Sequence, residues 1–183
     1  MPLKKITKDE ILRISLDVFR KNGYHHTAMS DLARACNLQK GSFYHYFDSK
    51  ELLMHAVLQN TLDNLKTNIF PIADSAEPAR DRMEQLLKTF SKMMLMNEGG
   101  CILGNTTMET AYSIPEFKPT LQAIFDGWIA SLKKIYLGKF SEETSQRMAE
   151  QTVMEFEGAV MLTKIYGGDR FFRDCYSRVM SRF

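Results

Sequence analysis

Between Lys40 and Tyr46 the chain sets a cation, a glycine, a hydroxyl, two phenols and an imidazole on barely two helical turns. These groups donate and accept hydrogen bonds and attract anions, the chemistry of a surface that meets phosphates and base edges. Leu38, Phe43 and Phe47 are the apolar residues of the stretch. At about 100° per residue, Lys40, Ser42, Tyr44 and His45 cannot all share the buried side with Phe43, so most must face outward. Gly41 has no Cβ and lets backbone approach a phosphate closely. The helix start around Gln39 to Ser42 offers unpaired N–H groups to an anion, and Gln39 and Lys40 have the reach for base edges. Tyr46 completes the cluster.

Such a short helix needs elements to hold it. Upstream, Met29, Leu32, Ala33 and Cys36 fall at i, i+3, i+4 and i+7, one buried stripe of a helix from about Met29 to Cys36. Asn37 follows where a tight turn asks for a residue that tolerates the left-handed region. Before that, Thr7 and Glu10 match a capping box that opens a helix to about Asn22, with Gly23 as its stop and Ile11, Leu12, Leu16, Val18 and Phe19 as its apolar set. Helix, tight turn and outward-facing helix form a helix-turn-helix DNA reader.

The pattern Ile11-Leu12-x-x-Ser15-Leu16-x-Val18-Phe19-x-x-x-Gly23-Tyr24 is followed by Asp31-Leu32-Ala33-x-x-Cys36-x-Leu38-x-Lys40-Gly41-Ser42-Phe43-Tyr44-x-Tyr46-Phe47-x-Ser49-Lys50-Glu51-Leu52-Leu53. Over roughly residues 7 to 58 it resembles the TetR family of bacterial repressors, and the remainder matches in outline. The resemblance implies an all-α fold: a three-helix helix-turn-helix domain over residues 1–48, then a helical ligand-binding and dimerisation domain over 49–183 with a connecting helix at about 49–70. It also implies that Thr27, Lys40, Tyr44, His45 and Lys50 touch DNA while Phe43 and Phe47 are core. Ala28 departs from the family's usual Ser or Thr helix cap, which leaves the cap to Thr27 or to water.

Charge agrees with a reader at the N-terminal end. Residues 1 to 60 carry nine Lys/Arg against six Asp/Glu, the rest fifteen against sixteen, and all four histidines fall in the first part. No apolar run reaches the ~20 residues of a membrane span and Met1 to Lys8 lacks the apolar stretch of a secretion signal, so a cytoplasmic chain without membrane partners is the expectation. Three widely spaced cysteines argue for reduced thiols rather than a disulfide framework. No histidine lies beyond residue 55, no phosphate-cradling glycine loop occurs and no nucleophile has a visible base partner, which speaks against an enzyme. His25, His26 and Cys36 lack metal-ligand spacing, so neither metal nor cofactor is expected.

Ser49 caps a helix from Lys50 to about Phe70, closed by Pro71. Helical spacing then predicts a segment with Met83, Leu86, Leu87, Phe90, Met93 and Met94 inward, ending before Glu98. Further helices are predicted over Cys101 to Tyr112, Pro115 to Tyr136, Glu142 to Tyr166 and Asp169 to Met180. By resemblance the last two pair with those of a second subunit, setting two readers about one DNA turn (~34 Å) apart on a palindromic operator. Phe156, Ala159, Val160, Leu162, Phe171 and Phe172 read equally as interface or core. Nine of twelve methionines fall after residue 70, among aromatic residues suited to a pocket for an apolar effector. Phe90, Met94, Met108, Tyr112, Phe125 and Trp128 are its candidate walls and Cys101 and Glu109 its candidate polar groups, with ordinary core packing the alternative for each. Asp126 is a second acid on an otherwise apolar helix.

Gly100-Cys101-Ile102-Leu103-Gly104-Asn105 resembles the opening of an effector helix in the AcrR/NemR-like branch of these repressors. A thiol at a helix N-terminus gains thiolate character, so Cys101 is a candidate sensor of electrophiles or oxidants, with Lys164 a candidate neighbouring cation. A buried packing cysteine is the alternative. The expected function is a ligand-responsive repressor binding DNA as a homodimer, with a thiol sensor and a helical interaction module that does not bind DNA as the alternatives.

Overall fold

A computed structural model describes residues 6–95 and 99–183 and contains no strand among them. Thr7 opens α1 (Lys8–Asn22) with both halves of the capping box, its hydroxyl accepting the Glu10 N–H at 3.2 Å and the Glu10 carboxylate accepting the Thr7 N–H at 2.8 Å. Gly23 ends the helix at φ +83°. In α2 (Met29–Ala35) the missing cap of Ala28 is supplied neither by Thr27 nor at Ala28: the Asp31 carboxylate accepts the Ala28 N–H at 3.0 Å, while the Thr27 hydroxyl donates to the Gly23 carbonyl at 2.6 Å. Asn37 turns the chain at φ +54° into α3 (Lys40–Tyr44). Ser49 caps α4 (Lys50–Asn68), accepting the Leu52 N–H at 3.1 Å.

The expected end near Phe70 is two residues late. Pro71 disfavours helical backbone at the residue before it, and Phe70–Asp74 form a 3-10 turn instead. In α5 (Ala79–Leu95) Met83, Leu86, Leu87, Phe90 and Met94 are buried. Its expected end before Glu98 falls on residues 96–98, which lie outside the described residues. α6 (Ile102–Thr110) is shorter than expected at both ends: Cys101 precedes it, and the N–H groups of Ser113 and Ile114 both bond the Thr110 carbonyl and turn the chain away. The helix expected from Pro115 is split into a 3-10 turn over Pro115–Phe117 and α7 (Lys118–Tyr136). α8 (Glu142–Tyr166) and α9 (Arg170–Met180) match expectation to within a residue, joined by Gly167 and Gly168 at positive φ.

Two compact units result. One holds residues up to Thr61 together with Ile102–Leu121, so α6 shares a unit with the three N-terminal helices and packs against α1. Ile11, Phe19, Leu32, Phe43, Leu53 and Phe117 form its core. The other unit holds Leu62–Cys101 and Gln122–Phe183. Its interior is an aromatic row: Phe90 stacks on Trp128 at 4.5 Å, Phe156 meets Trp128 edge-on at 6.1 Å, and Phe172 meets Phe156 at 6.0 Å. Arg182 fastens α9 to α7 and α8, donating to the Tyr136 and Thr152 hydroxyls and the Glu155 carboxylate, each at 3.0 Å. Phe156, Ala159, Val160 and Phe172 are thus core, and Leu162 and Phe171 are half-buried. The apolar groups α8 leaves uncovered are Met154, Met161, Ile165 and Tyr166, each more than half exposed.

No described helix is long and apolar enough to cross a membrane, and no described cluster of three His, Cys, Asp or Glu is placed to hold a metal ion.

Candidate nucleic-acid interface

α3 has only five residues, too short to persist alone, so tertiary contact holds it. Phe43 is fully buried, Phe47 nearly so and Leu38 half-buried, which leaves the opposite face of α3 free. Gln39, Lys40, Gly41, Ser42, Tyr44 and His45 are all exposed. Gln39 caps the helix through extended backbone without a side-chain bond, so its amide is available to a partner. The Lys40 ammonium lies 6.0 Å from the centre of the Tyr44 ring, one turn away. A Cβ at Gly41 would meet nothing within 4 Å, so this backbone is open to a close-approaching group. Together these give donors, a cation and flat rings on one convex surface, suited to groove and phosphate contacts.

The other three expected contacts are engaged within the chain. Thr27 is buried, its hydroxyl bonded to Gly23. Tyr46 is half-buried and donates its hydroxyl to the Ile6 carbonyl at 3.2 Å. Lys50 is half-buried, donating to the Tyr24 carbonyl at 2.9 Å with its ammonium 4.3 Å from the Tyr24 ring centre. Tyr24 in turn donates to Glu51 at 3.0 Å; burial first, and then that carboxylate, push its phenol pKa well up.

The expected effector residues divide between the units. Phe90, Met94, Cys101 and Trp128 are buried and Phe125 half-buried in one, with the Phe125 and Trp128 ring centres 6.4 Å apart. In the other, Met108 and Tyr112 are exposed, and Glu109 is half-buried with its carboxylate accepting the His25 N–H at 2.9 Å. Asp126 is exposed. A groove of about 440 Å³ lies over Phe172 and Tyr176 in the second unit and another of about 280 Å³ beside Phe70 and Gly127; neither is lined by an expected effector residue.

Sequence reading passed over Glu157. Its Oε1 is buried without a hydrogen-bond partner among the described residues, and burial raises its pKa, partly offset by a hydrogen bond with the Cys101 thiol. The available signal was an acid inside the apolar run Phe156 to Leu162. Cys101 is therefore a buried thiol beside a carboxyl, while the Lys164 stem passes 3.7 Å from where a Cβ on Gly100 would stand. Cys36 and Cys175 are buried, and desolvation pushes both thiols up to about 11, so they stay protonated and unreactive near neutral pH.

Residues 11–57 match the family described as bacterial regulatory proteins, tetR family, and residues 76–177 match the C-terminal domain of LmrA/YxaF-like transcriptional regulators. The chain is 25% identical over 166 residues to the HTH-type transcriptional repressor DhaR of Mycobacterium sp. (strain GP1), covering 86% of this chain and 82% of that protein. A TetR transcriptional regulator from Legionella pneumophila has the same fold over 100% of both chains, with a TM-score of 0.90 at 22% identity. The reduced form of NemR from E. coli superimposes over 94% of each chain with a TM-score of 0.78, also at 22% identity, a likeness of fold alone.

Proposed function

The chain belongs to the tetR family of bacterial regulatory proteins, DNA-binding transcriptional regulators rather than enzymes, and on that premise we propose that it is a repressor that binds a palindromic operator as a homodimer and is released by a small-molecule effector. The observation that carries this reading is the α3 surface, where six of the nine expected DNA contacts are exposed together on a helix fixed by buried Phe43. Repression is the role of the similar DhaR. The cytoplasm is the place where such a reader meets its DNA.

The dimer is supported by α8. Met154, Met161 and Ile165 recur at i, i+7 and i+11 and Gly158 lies at i+4, one stripe along the helix. Their side chains are exposed, and a Cβ at Gly158 would meet nothing within 4 Å, so the stripe is open to a second copy of the same face. The effector is taken to be a small apolar molecule that opens the packing around Phe90, Met94, Phe125 and Trp128, with Cys101 and Glu157 as the polar groups of the same unit. For release, it must favour the DNA-incompetent state, a tenfold preference being worth about 1.4 kcal/mol. Covalent sensing by Cys101 is the weaker reading, because the thiol is buried beside the Glu157 carboxyl and a reagent has little access to it.

Fluorescence anisotropy with DNA from upstream of the chain's own gene and excess competitor DNA tests the regulator reading. Binding that survives competitor and weakens steeply with salt is expected. Loss of that binding on adding diamide, absent in Cys101→Ser, would restore the thiol reading.

A further inference from the structure

Glu109 belongs by sequence to the region expected to bind effector, yet its bonds run to the reader. α6 packs against α1 within the N-terminal unit, and two side chains one turn apart on its surface bond backbone that no helix satisfies. The Asn105 amide donates to the Arg20 carbonyl in the last turn of α1 at 3.3 Å, and the Glu109 carboxylate accepts the His25 N–H at 2.9 Å. Helix ends leave such carbonyls and N–H groups unpaired, so a side chain that supplies the partner fixes the path of the chain there. The contact is reciprocal, because the His25 ring nitrogen Nε2 lies 3.0 Å from the Glu109 carbonyl oxygen and donates to it. The fit is close: a Cβ on Gly23 would stand 2.6 Å from Glu109 Oε1, and Gly23 already sits at φ +83°.

The corner so held, residues 23 to 28, joins α1 to α2. Its Thr27 hydroxyl bonds the Gly23 carbonyl, its Tyr24 carbonyl takes Lys50 and its Tyr24 hydroxyl reaches Glu51 in α4. Phe117, after α6, meets the Tyr24 ring edge-on at 5.5 Å. The corner is thus gripped from α4 on one side and from α6 on the other, and the angle at which α2 and α3 leave it depends on both. From this we infer that Glu109 is a positioning residue of the DNA reader: by clamping the His25 backbone it sets the α1–α2 corner, and with it the presentation of α3 to the operator. The inference rests on the regulator reading and gives α6 a place in its regulation, since a shift of α6 that opens the clamp changes operator affinity without touching α3.

The test compares the parent chain with Glu109→Ala and Glu109→Gln, using the operator that the parent selects from random-sequence DNA. Operator affinity should fall about tenfold in Glu109→Ala, with affinity for a random duplex and the salt slope unchanged, because the phosphate-contacting surface is intact. Glu109→Gln, whose amide oxygen still accepts the His25 N–H, should return affinity to within about threefold of the parent. Hydrogen exchange in the peptide covering residues 23 to 28 should quicken in the alanine variant and recover in the glutamine variant. Equal operator affinity in parent and Glu109→Ala, a parallel loss on random DNA, or unaltered exchange at the corner would overturn the inference. A parent that selects no sequence would overturn the regulator reading instead, and the exchange measurement would still decide the clamp.

Discussion

Lys40 carries its charge on an exposed surface, whereas Phe43, three residues on, is fully buried. Lys40→Ala should lower the slope of log affinity against log salt by about one and leave the melting temperature nearly unchanged, since one phosphate contact goes and no packing is lost; a salt titration with an unaltered slope would remove Lys40 from the phosphate contacts. Glu157 links stability to pH. Its folded pKa lies above the ordinary 4.5, so the folded state holds the proton more tightly than the unfolded chain. The stability this contributes is complete below pH 4.5 and is lost as pH rises through the folded value. Glu157→Gln should accordingly raise the melting temperature at pH 7.5, with the gap to the parent closing towards pH 4.5; a gap independent of pH would show that the carboxyl is not desolvated. The outward set on α3 was legible because rotation by 100° per residue separates it from Phe43. Thr27 on Gly23, Lys50 on Tyr24 and Glu109 on His25 were not, because a polar side chain's partner is whichever backbone group tertiary packing leaves open.

Ala28 begins α2 with extended backbone, φ −97° and ψ 157°, the geometry of a helix cap, but offers no side-chain acceptor. Ala28→Ser places a hydroxyl where it can accept the Asp31 N–H and should stabilise the protein by about 1 kcal/mol; thermal unfolding would read this as a higher midpoint, and an unchanged midpoint would show that the hydroxyl finds no donor. The same logic explains what the sequence made visible at this scale. Thr7 with Glu10, Asn37, Ser49 and Gly167 mark boundaries through local chemistry and were placed to within a residue. The end of α4 and the start of α7 were misplaced because Phe70–Asp74 and Pro115–Phe117 form 3-10 turns, whose apolar spacing mimics one more helical turn, and the end of α6 because the Ser113 and Ile114 N–H groups close on the Thr110 carbonyl.

For the molecule as a whole, the compact unit that contains the reader also contains α6, a grouping no local pattern announces because Asn105 and Arg20 are 85 residues apart. The proposed dimer face differs from the expected one: α8 and α9 were both expected to supply it, but burial assigns Phe156 and Phe172 to the core and leaves Met154, Met161 and Ile165 of α8 outside. Met161→Glu should therefore yield monomers in sedimentation velocity with the helical content intact and, having lost the paired readers, bind operator far more weakly; a stable dimer would move the interface elsewhere. The central claim is sequence-specific DNA reading, and the most direct measurement is selection from random-sequence duplexes by the purified chain. The prediction is enrichment of a two-fold-symmetric site with half-sites about one helical turn apart, bound at least about a thousandfold more tightly than the unselected pool. Recovery of no sequence above that pool would contradict the account and favour a helical interaction module.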